Sequence, residues 1–145
     1  MDPSRQAAEA RLLAAGHARE VADFARGIVG DSSSGVDAAD RIRAARRLRL
    51  LSLQVLNWTV RAEVLHGTPW PDLAVALGRG EDALREEFEA STLQWARDHD
   101  ADPASTEQSL AAAAALDAWY ERHADDLLDP DTQAPVSSLF PPPNV

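Results

Sequence analysis

The chain has 145 residues, of which 45% are hydrophobic, enough for one domain with a core of its own. It has no cysteine, which excludes disulfides and thiolate metal sites. A formal net charge of −10 disfavours loose adhesion to nucleic acid and to anionic membranes.

No stretch approaches the ~20 uninterrupted apolar residues of a membrane span. The opening MDPSRQAAEARLL lacks the basic-then-apolar pattern of a secretion signal, so a cytoplasmic protein is expected. All 14 basic residues are Arg, and they are unevenly placed. Residues 41–49 hold five Arg and no acid, whereas residues 98–131 hold ten Asp or Glu against one Arg. Either the two regions attract each other within the fold, or each is neutralised locally on the surface.

In chain order, residues 4–29 are predicted as a helix, with Leu12, Leu13, Val21, Phe24, Ala25 and Ile28 at helical spacing. Ser4 is its expected N-cap, and Gly16 is a point where it bends or splits. A connector, GDSSSGV, follows at 30–36. Residues 37–66 are predicted as a long helix on the stripe Ile42, Ala45, Leu48, Leu51, Val55, Trp58, Ala62 and Leu65. Leu50, Leu53, Leu56 and Val60 add apolar residues on other faces, so the centre of this helix is expected to be buried among several neighbours. The same surplus of apolar surface makes a homodimer an expectation. Gly67 closes the helix.

Thr68 and Pro69 open a short helix, a tight turn at Gly78–Gly80 and a second helix from about Glu81 to Arg97. After a loop at 98–103, Ser105 and Gln108 form a capping box for a last helix expected to run through Leu110, Ala113, Leu116, Trp119, Tyr120, His123 and Leu127. It should stop near Asp129–Pro130. Four prolines in the last eleven residues forbid helix there. That tail is either disordered or an extended arm docked through Val136, Leu139 and Phe140. The expected fold class is all-α, with five to six helices: a single helical domain over 1–130 and a Pro-rich tail over 131–145.

The segment with functional content is TPWPDLAVALGRGEDALREEFEA, residues 68–90. A helix-turn-helix needs an apolar residue beside a small one in its first helix, so that the second can cross closely. It needs an apolar residue and then Gly at the turn, and apolar residues facing back from the second helix. Leu73–Ala74, Leu77–Gly78, Leu84 and Phe88 fill those places. With Trp70 and Ala76 added, the segment resembles the helix-turn-helix of many small actinobacterial proteins, and the Arg-for-Lys, Ala-rich composition resembles the product of such a GC-rich genome. That resemblance covers about 23 residues and implies a regulator of transcription that binds DNA, with the 37–66 helix packed on the unit.

Two features depart from the pattern. Arg79 follows the turn Gly where an apolar residue is usual, and Arg79–Glu89 holds five acids against two Arg. A recognition helix with that balance is repelled by phosphates. The candidate DNA contacts are therefore Arg41, Arg43, Arg46, Arg47, Arg79 and Arg85, with Arg49 completing the run. The alternative is an acidic protein–protein interaction module that has lost DNA binding and works through its last helix and tail.

Other constellations carry less. Asp98, Asp100 and Asp102 alternate like a calcium loop, but Pro103 stands where Gly is needed and Ser109 where a bidentate Glu is needed. His17, His66, His99 and His123 have no paired-ligand spacing. There is no Gly-rich phosphate loop and no nucleophile elbow, so neither an enzyme nor a cofactor is expected. Asn57-Trp58-Thr59 matches a glycosylation acceptor but falls mid-helix. Trp58, Trp70, Trp95 and Trp119 lie on four predicted segments; they either share one core cluster or line a cavity for an apolar effector.

Overall fold

The computed structural model describes residues 3–100 and 105–142. It is all-helical: α1 (Pro3–Gly30), α2 (Ala38–His66), α3 (Trp70–Leu77), α4 (Glu81–His99), α5 (Ser105–His123) and a 3₁₀ turn at Ser137–Leu139. No strand occurs among the described residues, and none of the helices is long and apolar enough to cross a membrane.

The frame is a hairpin of two long helices. At 28 and 29 residues, α1 and α2 each extend about 42 Å at 1.5 Å per residue. Pro3 opens α1, where its missing N–H is no loss, so Ser4 lies inside the first turn and is not its cap. The helix runs unbroken through Gly16. Asp37 caps α2, its carboxylate accepting from the Ala39 N–H at 2.9 Å. Gly67 ends α2 in the left-handed region at φ 90°, with the Thr68 N–H donating to the Glu63 carbonyl at 3.1 Å.

Two small cores flank this frame. On the C-terminal part of α2, Val60 packs with Leu73, Ala74, Leu84 and Phe88, edged by Val64, Trp70 and Leu77. On α1, Leu12 packs with Ala113, Leu116 and Val136, edged by Ala15, Leu139 and Phe140. α5 runs alongside α1 in the same direction: Arg5 donates to Thr106, Ser109 to Glu9, and the Trp119 indole to Asp23 at 3.2 Å. The end of α4 reaches the start of α1, where Gln6 donates to the Ala96 carbonyl and to the Asp100 carboxylate.

The tail docks on α5. The Asp117 carboxylate accepts from the Val136 and Ser137 N–H groups and from the Ser137 hydroxyl, seating Val136 in the second core. The last helix stops earlier than its apolar pattern suggests, at His123. Asp129 accepts from the Asp125 N–H and Asp125 from the Leu127 N–H, so these acids offer the backbone turn bonds in place of helical ones. Leu127, counted on the apolar stripe, is 93% exposed.

The tryptophans do not form one cluster. Trp58 and Trp95 meet edge to face at 5.0 Å, Trp70 borders the first core, and Trp119 sits beside Asp23 on the far side of α1. Four segments carry them to three places because α4 and α5 pack on different members of the hairpin.

Candidate functional site

α3 and α4 are two helices joined by a tight turn at residues 78–80. Pro69 begins α3, with Pro71 in its first turn. Gly78 takes φ 64°, and the Arg79 N–H returns to the Ala74 carbonyl at 3.1 Å, repeating the closure seen at Gly67. Gly80 then starts α4 in extended conformation. Leu84 is wholly buried and Phe88 nearly so, holding α4 across α3 and against Val60 of α2.

The outward chemistry of the unit is internally spent. The Arg79 guanidinium pairs with Glu87 at 2.5 Å. Arg85 pairs with Glu81 at 3.3 Å and lies over the Trp70 ring at 5.4 Å. Asp82 and Glu86 stand exposed on α4, and Glu89 half-buried, without an ion pair among the described residues. The face that a DNA-binding unit presents to phosphates is therefore an acidic one.

The Arg run sits elsewhere. Arg41 turns back on the α1–α2 connector and donates to the carbonyls of Asp31, Ser34 and Val36, so its role is to hold that loop. Arg43 pairs with Asp40 at 2.6 Å within its own turn. Arg46, Arg47 and Arg49 are exposed on α2 and take no hydrogen bond or ion pair among the described residues. Arg46 and Arg49 precede Val60, where the helix-turn-helix docks, by 14 and 11 residues. That places them about 21 and 16 Å along the helix axis from it. The run thus does not adjoin α4, and no ion pair joins it to the acidic 98–131 region among the described residues. Of the residues of the calcium-like spacing, Asp98 accepts from Gln94, Asp100 accepts from Gln6 and Ser109 donates to Glu9, while Asp102 and Pro103 lie outside the described residues. No group of metal-ligating side chains forms among the described residues.

What sequence reasoning missed is on the other side of α2. The inward face, Leu48, Leu51, Val55, Trp58 and Ala62, packs into the molecule as expected. Ile42, assigned to that stripe, belongs to the opposite one and is 70% exposed. With it go Leu53 and Leu56, at 45% and 46% exposed, and Leu50 beside them. Residues 42, 46, 49, 53, 56 and 60 step by four and three in alternation, the spacing of a coiled-coil seam. Val60 is covered by α3 and α4; the seam above it faces outward with Arg46 and Arg49 set into it. The centre of α2 is therefore not enclosed on all sides, because α5 packs on α1 and leaves this face alone. The signal was available in the sequence as a second heptad, hidden under the stronger first one.

Comparison with protein-family models, with curated proteins and with solved structures finds no match to this chain.

Proposed function

We propose that this chain is a helical regulatory protein that works through protein contact, with α2's outer seam as the contact surface and a second copy of the chain as its occupant. The observation that carries this is the uncovered heptad of Ile42, Leu53 and Leu56, apolar side chains exposed in line at coiled-coil spacing. Arg46 favours an antiparallel pairing, since parallel helices set both Arg46 and Arg49 against their own copies whereas an antiparallel pair does so only at its centre. The unpaired acids Asp82, Glu86 and Glu89 supply opposite charge on the same chain, which suits a self-complementary two-fold contact. In this reading the helix-turn-helix-like unit is a scaffold that braces the lower half of α2.

The weaker reading is contact with DNA. It has the two helices α3 and α4 behind it, and against it the pairing of Arg79 and Arg85 with acids of α4. Sedimentation equilibrium distinguishes the two when run with a gel-shift titration at low salt. The proposal expects a mass near twice 15.7 kDa and no retarded band. A monomer that retards duplex DNA would overturn it.

A further inference from the structure

A groove of about 620 Å³ opens between α1, α5 and the end of α4, within the range of small-molecule sites, roughly 300–1,000 Å³. Its walls are mainly apolar, built from Leu13 and Gly16 on α1 and Ala112 and Leu116 on α5; Arg19 and Glu20 also line it, Arg19 paired with Asp23 at 3.6 Å. At its inner end stands Glu9, only 3% exposed. One carboxylate oxygen, Oε2, accepts from the Ser109 hydroxyl at 2.6 Å. The other, Oε1, has no hydrogen-bond partner among the described residues.

The cation nearest to it does not fill that role. The Arg5 guanidinium is 3.7 Å from Oε1, beyond hydrogen-bond length, and donates instead to Thr106. Two imidazole nitrogens along the same groove also have no hydrogen-bond partner among the described residues: Nδ1 of His17, 3.8 Å from Glu20, and Nε2 of His99, 3.6 Å from Glu9 Oε2. The His99 ring is fixed by stacking on Trp95 at 4.9 Å. A buried carboxylate oxygen left unbonded is costly, and a charged donor satisfies it best.

We infer that this groove binds a small organic ammonium ion, with its N–H₃⁺ seated on Glu9 Oε1 and an apolar body lying along Leu13, Gly16 and Leu116. The carboxylate sets the sign of the ligand, and the apolar walls set its class: an alkyl or aryl amine in place of an inorganic cation. This site is separate from the α2 seam and stands whether or not the chain pairs.

The test is isothermal titration calorimetry on the full chain with hexylammonium chloride, hexanol and sodium hexanoate as probes. Hexylammonium is expected to bind at one site at least tenfold more tightly than either of the others. Glu9→Gln should erase that preference. Because Glu9 also holds Ser109, a second variant protects the result: a Cβ at Gly16 meets nothing within 4 Å, so Gly16→Leu fills the groove without disturbing the helix and should abolish binding. Equal binding of hexanoate or hexanol, binding undiminished in Gly16→Leu, or no binding of hexylammonium would each overturn the inference.

Discussion

The guanidinium of Arg79 lies 2.5 Å from the carboxylate of Glu87, two turns into the helix that follows it. This pair closes the helix-turn-helix-like unit on itself: the one cation at the turn, where a DNA-binding protein meets the backbone, is turned toward its own α4. The affinity for nucleic acid should follow. At physiological salt, fluorescence anisotropy with a random duplex should give a dissociation constant weaker than about 10⁻⁴ M, the loose end of ordinary non-specific binding. Tighter, steeply salt-dependent binding would show that the Arg run reaches phosphates after all.

The scaffold role of the same unit rests on Leu84, which is fully buried between α2, α3 and α4. Leu84→Ala should cost about 2–5 kcal/mol in urea unfolding, the range for truncation of an enclosed leucine. Val75→Ala, on the exposed side of α3, should change stability by less than about 0.5 kcal/mol. Equal effects would mean that α3 and α4 do not pack in this way.

Asp117 ties the tail to α5 through two backbone N–H groups and the Ser137 hydroxyl. Asp117→Ala leaves those donors without their acceptor, at a cost of about 1–3 kcal/mol. Limited proteolysis should then cut near residues 131–136 faster than in the parent chain, with α1–α4 intact. An unchanged cleavage rate would argue that Val136, Leu139 and Phe140 hold the tail by packing alone.

Tyr120 is the single tyrosine of the chain, so its ionisation can be read cleanly by ultraviolet titration. Partial desolvation and the nearby carboxylates of Asp129 and Asp131 hold its phenol pKa above the ordinary value. A raised pKa means that the folded state favours the neutral phenol. Any contribution to stability is complete below the ordinary phenol pKa and is lost as pH rises through the folded one. The titration midpoint should fall on unfolding in urea. A midpoint at or below the ordinary value in the folded chain would contradict the placement of the 129–131 turn over Tyr120.

The pairing geometry can be read with single cysteines, since the chain has none of its own. An antiparallel contact over residues 42–56 has its centre near Arg49. The two Ile42 residues would then be about 21 Å apart, as 14 residues of helix require. Arg49→Cys should cross-link on mild oxidation and Ile42→Cys should not, because a disulfide needs Cα atoms within about 7 Å. Cross-linking of both variants would mean a parallel pair.

The sequence made the helices legible because their signals are local. Asp37, Gly67 and Gly78 mark ends by chemistry that acts within one turn, and Leu73, Ala74, Leu84 and Phe88 sit at offsets a helical hairpin demands. Its misreadings are of two kinds. Leu127 continued an apolar spacing that Asp125 and Asp129 interrupt with turn bonds, a competition that spacing alone does not display. Ile42, Leu53 and Leu56 were read as core because they are apolar, whereas burial depends on which helix comes to lie beside them. The groove at Glu9 was invisible for the same reason: Glu9, His99 and Ser109 lie on three helices and meet only when α4 and α5 close on α1.

The outer seam of α2 carries the proposed pairing, and one comparison of masses tests it. The parent chain and Leu53→Glu/Leu56→Glu are run side by side in sedimentation equilibrium over a wide concentration range, with circular dichroism as a check on folding. Both leucines are already about half exposed, so the charges are tolerated in the folded monomer and opposed only at a contact. The parent should sediment at close to twice 15.7 kDa and the variant at 15.7 kDa, with equal helicity. A parent that stays monomeric throughout, or a variant that pairs as well as the parent, would contradict the account.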